Sequence, residues 1–118
     1  MNKQTFRDLL VWQKGIVLVR SVYALTEFFP REEMYGLSSQ MRRAAVSIPS
    51  NIAEGKMRGT DNEFRRFLLI AYGSSGELQT QLEIAKGLPR MDKLDYASVE
   101  RQLEEVMKMT NGRSCAYF

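Results

Sequence analysis

The residue types that could do chemistry in this chain are arginines, lysines and short polar side chains, gathered in its middle third. Arg42, Arg43, Lys56, Arg58, Arg65 and Arg66 are the basic members. Arginine suits phosphate because its planar fork of donors matches phosphate oxygens, and these six positions are candidate nucleic-acid contacts. Between them, Ser47, Asn51 and Glu54 line one strip of a predicted helix, with Gln40 before and Arg58 beyond. Ser47, Ser50 and Asn51 are poor helix formers. Side chains of this kind at a core edge need partners. They serve either as a hydrogen-bond network across a helix or subunit interface, or as the lining of a ligand or nucleic-acid surface.

Other chemistries are removed by composition. The 118 residues contain no histidine and one cysteine, Cys115. An intrachain disulfide, a zinc site of the usual nitrogen and sulfur type, and a histidine-based triad are therefore excluded. A Ser47 nucleophile would lack a base, and no pair of carboxylates stands out on an apolar background. The Glu-x-x-His ligands of di-iron bundles are absent. Gly73-Ser74-Ser75-Gly76 has no following Lys-Ser/Thr and falls inside a helical pattern, so close helix packing explains it better than phosphate binding. The expectation is a protein that is not an enzyme and needs no cofactor or metal.

Charge bounds the partner. Seventeen basic and fourteen acidic residues give +3. Residues 1 to 59 hold nine Lys/Arg against five Asp/Glu, a net +4, and residues 60 to 118 hold eight against nine, a net −1. The asymmetry permits a polyanionic partner, and several copies in a ring would multiply a field that is modest in one chain. Glu54, Asp61 and Glu63 are interleaved with the basic residues and partly neutralise them. The N-terminus of the third helix adds amide donors for an anion.

The elements that must position these residues are helices. Apolar residues recur at spacings of three and four, with no hairpin signal between alternating runs. A first helix is expected over about 8–28, capped by Asp8 and stopped ahead of Pro30. It carries two apolar stripes: Leu9, Trp12, Ile16, Val19 and Tyr23, and Val11, Leu18, Val22, Leu25 and Phe29. Two stripes imply cover from two sides, by the chain's own bundle and by another subunit. A second helix is expected over about 38–55, capped by Ser38 or Ser39, with Leu37, Met41, Ala44, Ala45, Ile48 and Ile52 inward and a kink at Pro49.

Thr60-Asp61-Asn62-Glu63 reads as a capping box that opens a third helix over 61–86. Phe64, Phe67, Leu68, Ala71, Ser75, Leu78, Leu82 and Ala85 form its inner face. After Gly87-Leu88-Pro89, Asp92 or Asp95 can cap a fourth helix over about 93–110, carrying Tyr96, Val99, Leu103, Val106 and Met109 or Thr110 and closed by Asn111-Gly112. Arg113 to Phe118 follow as a short tail. Four helices with short connections predict one all-α domain over 1–118, an antiparallel up-down-up-down four-helix bundle. Charge-free stretches such as 44–53 and 67–76 are too short to cross a membrane, which points to the cytoplasm.

The motifs that carry a family resemblance are LVWQK at 10–14, VYALT at 22–26, Phe29-Pro30, YGLSSQMRRAAVSIPSNIAEG at 35–55, Glu63-Phe64, Arg66-Phe67-Leu68 and the run from Ala71 to Gln81. Over about residues 7 to 109 the chain resembles the bacterial four-helix bundle proteins of 23S rRNA intervening sequences. That resemblance implies a homopentamer, similar in fold to the accessory variability protein of diversity-generating retroelements, a basic pentamer that works with a reverse transcriptase and nucleic acid. It marks Arg42, Arg43, Ser47, Asn51, Glu54 and Gly55 as signature positions and supplies no catalytic residues. After Lys108–Gly112 the chain departs from the family, which continues with further leucines. Two readings follow: a homo-oligomer that presents basic residues to structured RNA or a ribonucleoprotein, or a protein-interaction scaffold using Leu69, Tyr72 and Ile84.

Overall fold

The structure, a computed structural model, describes residues 5–112, so the tail at 113–118 and Cys115 lie outside the described residues. Four helices form: α1 (Leu10–Thr26), α2 (Leu37–Met57), α3 (Asp61–Lys86) and α4 (Ala97–Thr110). Short 3-10 turns at Phe6–Asp8 and Arg31–Glu33 precede α1 and α2, and no strand is present among the described residues. Helix α1 packs on α2 and α4, and α3 packs on the same two, so each helix touches two neighbours around one core. The domain is elongated, 51 × 27 × 21 Å.

The expected inner faces of α2, α3 and α4 are buried, apart from Phe64, which is half-buried. The face of α1 is different. Val11, Leu18, Val22, Leu25 and Phe29 enter the core, but most of the Trp12 stripe is also covered by this same chain: Leu9 is buried, and Trp12, Ile16 and Val19 are half-buried. Phe6 meets Trp12 edge to face with ring centroids 5.3 Å apart. Leu10 and Val17 are left in solvent within about 20° of one line along the helix, while Tyr23 is exposed on the Trp12 stripe and Phe28 in the turn beyond the helix end. The uncovered face is thus a third one, beside those two stripes.

Helix boundaries shift where caps were misassigned. Asp8 does not open α1, because its carboxylate accepts from the Thr5 amide at 2.9 Å and closes a capping box one turn earlier. The last residues before Pro30 tighten into i to i−3 bonds, with the Phe28 amide donating to the Leu25 carbonyl and that of Phe29 to Thr26. Neither Ser38 nor Ser39 caps α2. Gly36 holds that position, Ser38 is buried, and the Glu33 carboxylate accepts from the Leu37 amide at 3.2 Å. A carboxylate at a helix N-terminus also opposes the helix dipole favourably. The helix then runs unbroken through buried Pro49 to Met57.

Only the first half of the predicted Thr60 box forms: the Glu63 amide donates to Thr60 Oγ1 at 3.2 Å, while the Glu63 carboxylate turns to Arg66 and Arg58. Gly59, in the turn between α2 and α3, has φ of +87°, where a side chain would be strained. Helix α4 starts at Ala97, four residues later than expected. The chain from Leu88 to Leu94 spends its amides on tight turns, and Asp95 accepts from the Ala97 amide at 3.0 Å. Tyr96 is buried and donates its hydroxyl to the Met91 carbonyl at 2.7 Å, pinning that turn to α4.

Two glycines set how closely helices approach. A methyl group on Gly55 would lie 2.6 Å from Phe67 Cβ, so α2 and α3 meet there with no room for a side chain. At Gly73 and Gly76 the same construction meets nothing within 4 Å. Close packing within the chain therefore does not explain that pair. Ser75 between them is buried and donates back to the Ala71 carbonyl at 2.9 Å.

Candidate nucleic-acid interface

The six basic residues do not form one cluster. Fourteen residues of α2 separate Arg42 from Lys56, about 21 Å at 1.5 Å per residue. One group stands at the turn between α2 and α3, the other near the C-terminal end of α1.

At the turn, the aromatic ring of buried Phe67 is the organising element. Arg66 stacks on it at 4.6 Å and Arg58 at 5.0 Å from its centroid. Glu63 bridges the two cations, 2.8 Å from Arg66 and 3.7 Å from Arg58, and Glu54 holds Arg58 at 2.9 Å. Its hydrogen bond to Arg66 holds the Glu63 carboxyl below the usual carboxylate range and raises Arg66. Lys56 lies 5.9 Å from the Phe64 ring centroid, and Arg65 is exposed. Four cations at this turn thus share it with three carboxylates, Glu54 and Glu63 in ion pairs and Asp61 in the first turn of α3, and exposed pairs of this sort are weakly bound.

The second group is ordered differently. Arg42 is half-buried; its Nε donates to Thr26 Oγ1 at 2.8 Å, its Nη2 reaches Glu27 at 3.4 Å, and its guanidinium lies 4.6 Å over the Tyr23 ring. Those contacts tie α2 to the end of α1. Arg43, one residue on, is exposed and has no ion pair among the described residues. Both arginines line a cleft of about 560 Å³ with Tyr23 and Tyr35. The aromatic partners of this site, Tyr23 and Tyr35, are not among the six basic positions; the sequence shows Tyr23 in an apolar stripe and Tyr35 at the head of the 35–55 motif. An Arg-Arg pair about two helical turns after Tyr35-Gly36 was the available signal.

The polar strip is not a cross-helix network. Ser47 donates to the Ala44 carbonyl at 2.9 Å, the Asn51 amide group donates to the Ser47 carbonyl at 2.7 Å, and Glu54 binds Arg58 one turn on. Each partner is found on α2 or at its end, as expected of short polar side chains that bond back to their own helix. Gln40 is exposed and shares a shallow cleft with Arg43, Ser47, Ser74 and Glu77.

Among the described residues, no three His, Cys, Asp or Glu side chains converge on a point where a metal could sit, and no helix is long and apolar enough to cross a membrane. The class is therefore an all-α, four-helix protein whose polar surface features are arginine-rich. Its family is specific: the chain belongs to the 23S rRNA-intervening sequence proteins, whose family model matches residues 7–112. No curated protein sequence matches it.

Proposed function

We propose that this chain is a non-catalytic, cytoplasmic, homo-oligomeric bundle of up-down-up-down topology that presents its basic residues to structured RNA. The topology is supported by the helix neighbours and by the three-residue connection between α2 and α3. Assembly is supported by the apolar side chains of Leu10 and Val17 left in solvent on α1 and of Phe28 just beyond it. The resemblance implies five copies, and five at +3 carry about +15, a charge that concentrates a polyanion on the ring.

The observation that carries the RNA reading is the exposed Arg43, without an ion pair among the described residues, beside the Arg42 stack, with Lys56, Arg58, Arg65 and Arg66 at the other end of α2. Light scattering on purified protein, followed by RNA titration at low and moderate salt, tests it. A multimer whose RNA affinity falls steeply with salt is expected. A stable monomer at micromolar concentration removes the assembly, and indifference to RNA removes the ligand. In that second case Leu69, Tyr72 and Ile84, all exposed on α3, become the contacts to test for a protein partner whose binding survives high salt and nuclease.

A further inference from the structure

The cleft between the end of α1, the turn into α2 and the first part of α2 has a composition that the turn between α2 and α3 lacks. Its lining includes Tyr23, Tyr35, Arg42, Arg43 and Ser39, and no carboxylate lines it. Beside it, Glu27 is engaged by Arg42, and Glu77 lies on the adjoining cleft that Arg43 also lines. Tyr35 is 93% exposed, an unusual position for so large a ring in a segment that is otherwise anchored by Glu33 and Leu37. Arg42 is held from two sides, by the hydrogen bond to Thr26 and by the Tyr23 ring face. Arg43 is exposed and forms no ion pair among the described residues.

We infer that this cleft is a site for one unpaired nucleotide of RNA, its base stacked on Tyr35 and the Tyr23–Arg42 pair and its phosphate held by Arg43. The inference rests on the RNA reading above and deepens it, by naming the part of the RNA that is bound. Stacking planes together with an exposed cation are what single-stranded nucleic acid requires, because every base has a π face and every linkage a charge. A base inside a duplex offers neither face, so the site distinguishes a loop or bulge from a continuous helix. The hydroxyl of Ser39 is placed on the same cleft for a base edge or a 2′-hydroxyl.

The test uses the full chain, a dye-labelled run of ten unpaired adenosines and an RNA duplex of equal length, read by fluorescence anisotropy. Tyr35→Ala is expected to weaken the single strand about tenfold, with little change for the duplex and an unchanged salt slope. Tyr35→Phe retains the ring and should restore affinity. Arg43→Ala should instead flatten the salt slope for the single strand, by about 0.7 for one lost phosphate contact. Wild-type binding that Tyr35→Ala leaves intact overturns the cleft while sparing the RNA reading; absence of wild-type binding to both RNAs overturns both. A change in light-scattering mass for Tyr35→Ala would make the cleft a contact between copies and also overturn the inference.

Discussion

Gly15 on α1 faces the ring of Pro49 on α2, and a methyl group on Gly15 would come within 3.3 Å of Pro49 Cβ and 3.5 Å of its Cδ. Pro49 is buried, so the contact lies inside the bundle. A proline inside a helix removes one backbone donor and brings a rigid, flat ring in its place. Here that ring occupies the notch left by a missing side chain. Gly15→Ala needs a shift of only tenths of an ångström, which the helix preference of alanine offsets, so a change within about 1 kcal/mol is expected. Gly15→Leu must push α1 off α2, and a loss of about 3 kcal/mol or more is expected. Urea denaturation followed by circular dichroism separates the two.

The contact between Gly55 and Phe67 is tighter. Gly55→Ala is expected to destabilise the fold by about 1 to 3 kcal/mol, because the obstructing atom is the Cβ of a buried residue rather than a flexible tip. Gly76→Ala should do the opposite, raising stability by about 0.5 to 1 kcal/mol, since the site is open and alanine favours a helix. Thermal melts of the two variants should move in opposite directions. A loss of stability in Gly76→Ala that depends on protein concentration would place another copy against that face.

Much of the fold was legible in the sequence because three-four spacing is a direct consequence of helix geometry. The cores of α2, α3 and α4 follow from it residue by residue, and Thr60 was recognisable as a cap. Caps supplied from outside the local pattern were not legible. Asp8 and Glu33 both spend their carboxylates on amides, yet only the backbone path shows which ones. The basic site was legible as a composition and illegible as a place. Spacing along α2 separates Arg42 from Arg58, and only three dimensions show that Tyr23 and Phe67 gather separate arginines.

Buried Tyr96 gives a pH dependence at the alkaline end. Burial pushes its phenol above the ordinary value of 10.0, with Asp92 adding to the rise. The folded state then holds the proton that the unfolded chain releases, so stability is full below the ordinary value and declines as pH rises past it. Tyr96→Phe should lose about 1 kcal/mol at neutral pH, for the hydrogen bond to Met91. It should also lose less than wild type between neutral and strongly alkaline solution. Denaturant midpoints measured across that range check both parts.

Glu63 pairs with two arginines at once, and because Glu54 also holds Arg58, its neutralisation should release Arg66 and loosen Arg58. In Glu63→Gln the backbone cap on Thr60 is retained, since it comes from the amide, while Arg58 and Arg66 lose their shared carboxylate. If that turn meets phosphate, RNA affinity at low salt should increase severalfold, with a steeper salt dependence. The same release in wild type requires acid, below the ordinary carboxylate value, because Arg66 holds the Glu63 carboxyl down. Anisotropy titrations of wild type and variant at neutral pH decide the point.

The buried hydroxyls of Ser75 and Thr110 each donate to a carbonyl one turn back on the same helix. Hydroxyls spent in this way give no instruction about which stretch of one helix belongs opposite which stretch of the next. That instruction falls to the Arg42–Thr26 bond between α2 and α1 and to shape, at the Gly15–Pro49 and Gly55–Phe67 notches. Alignment of the helices is therefore written in that bond and in a few places where an atom is missing, while the oily positions between them are interchangeable. A lineage of such chains could drift widely in its leucines and valines and still fold alike, provided those vacant places stayed vacant.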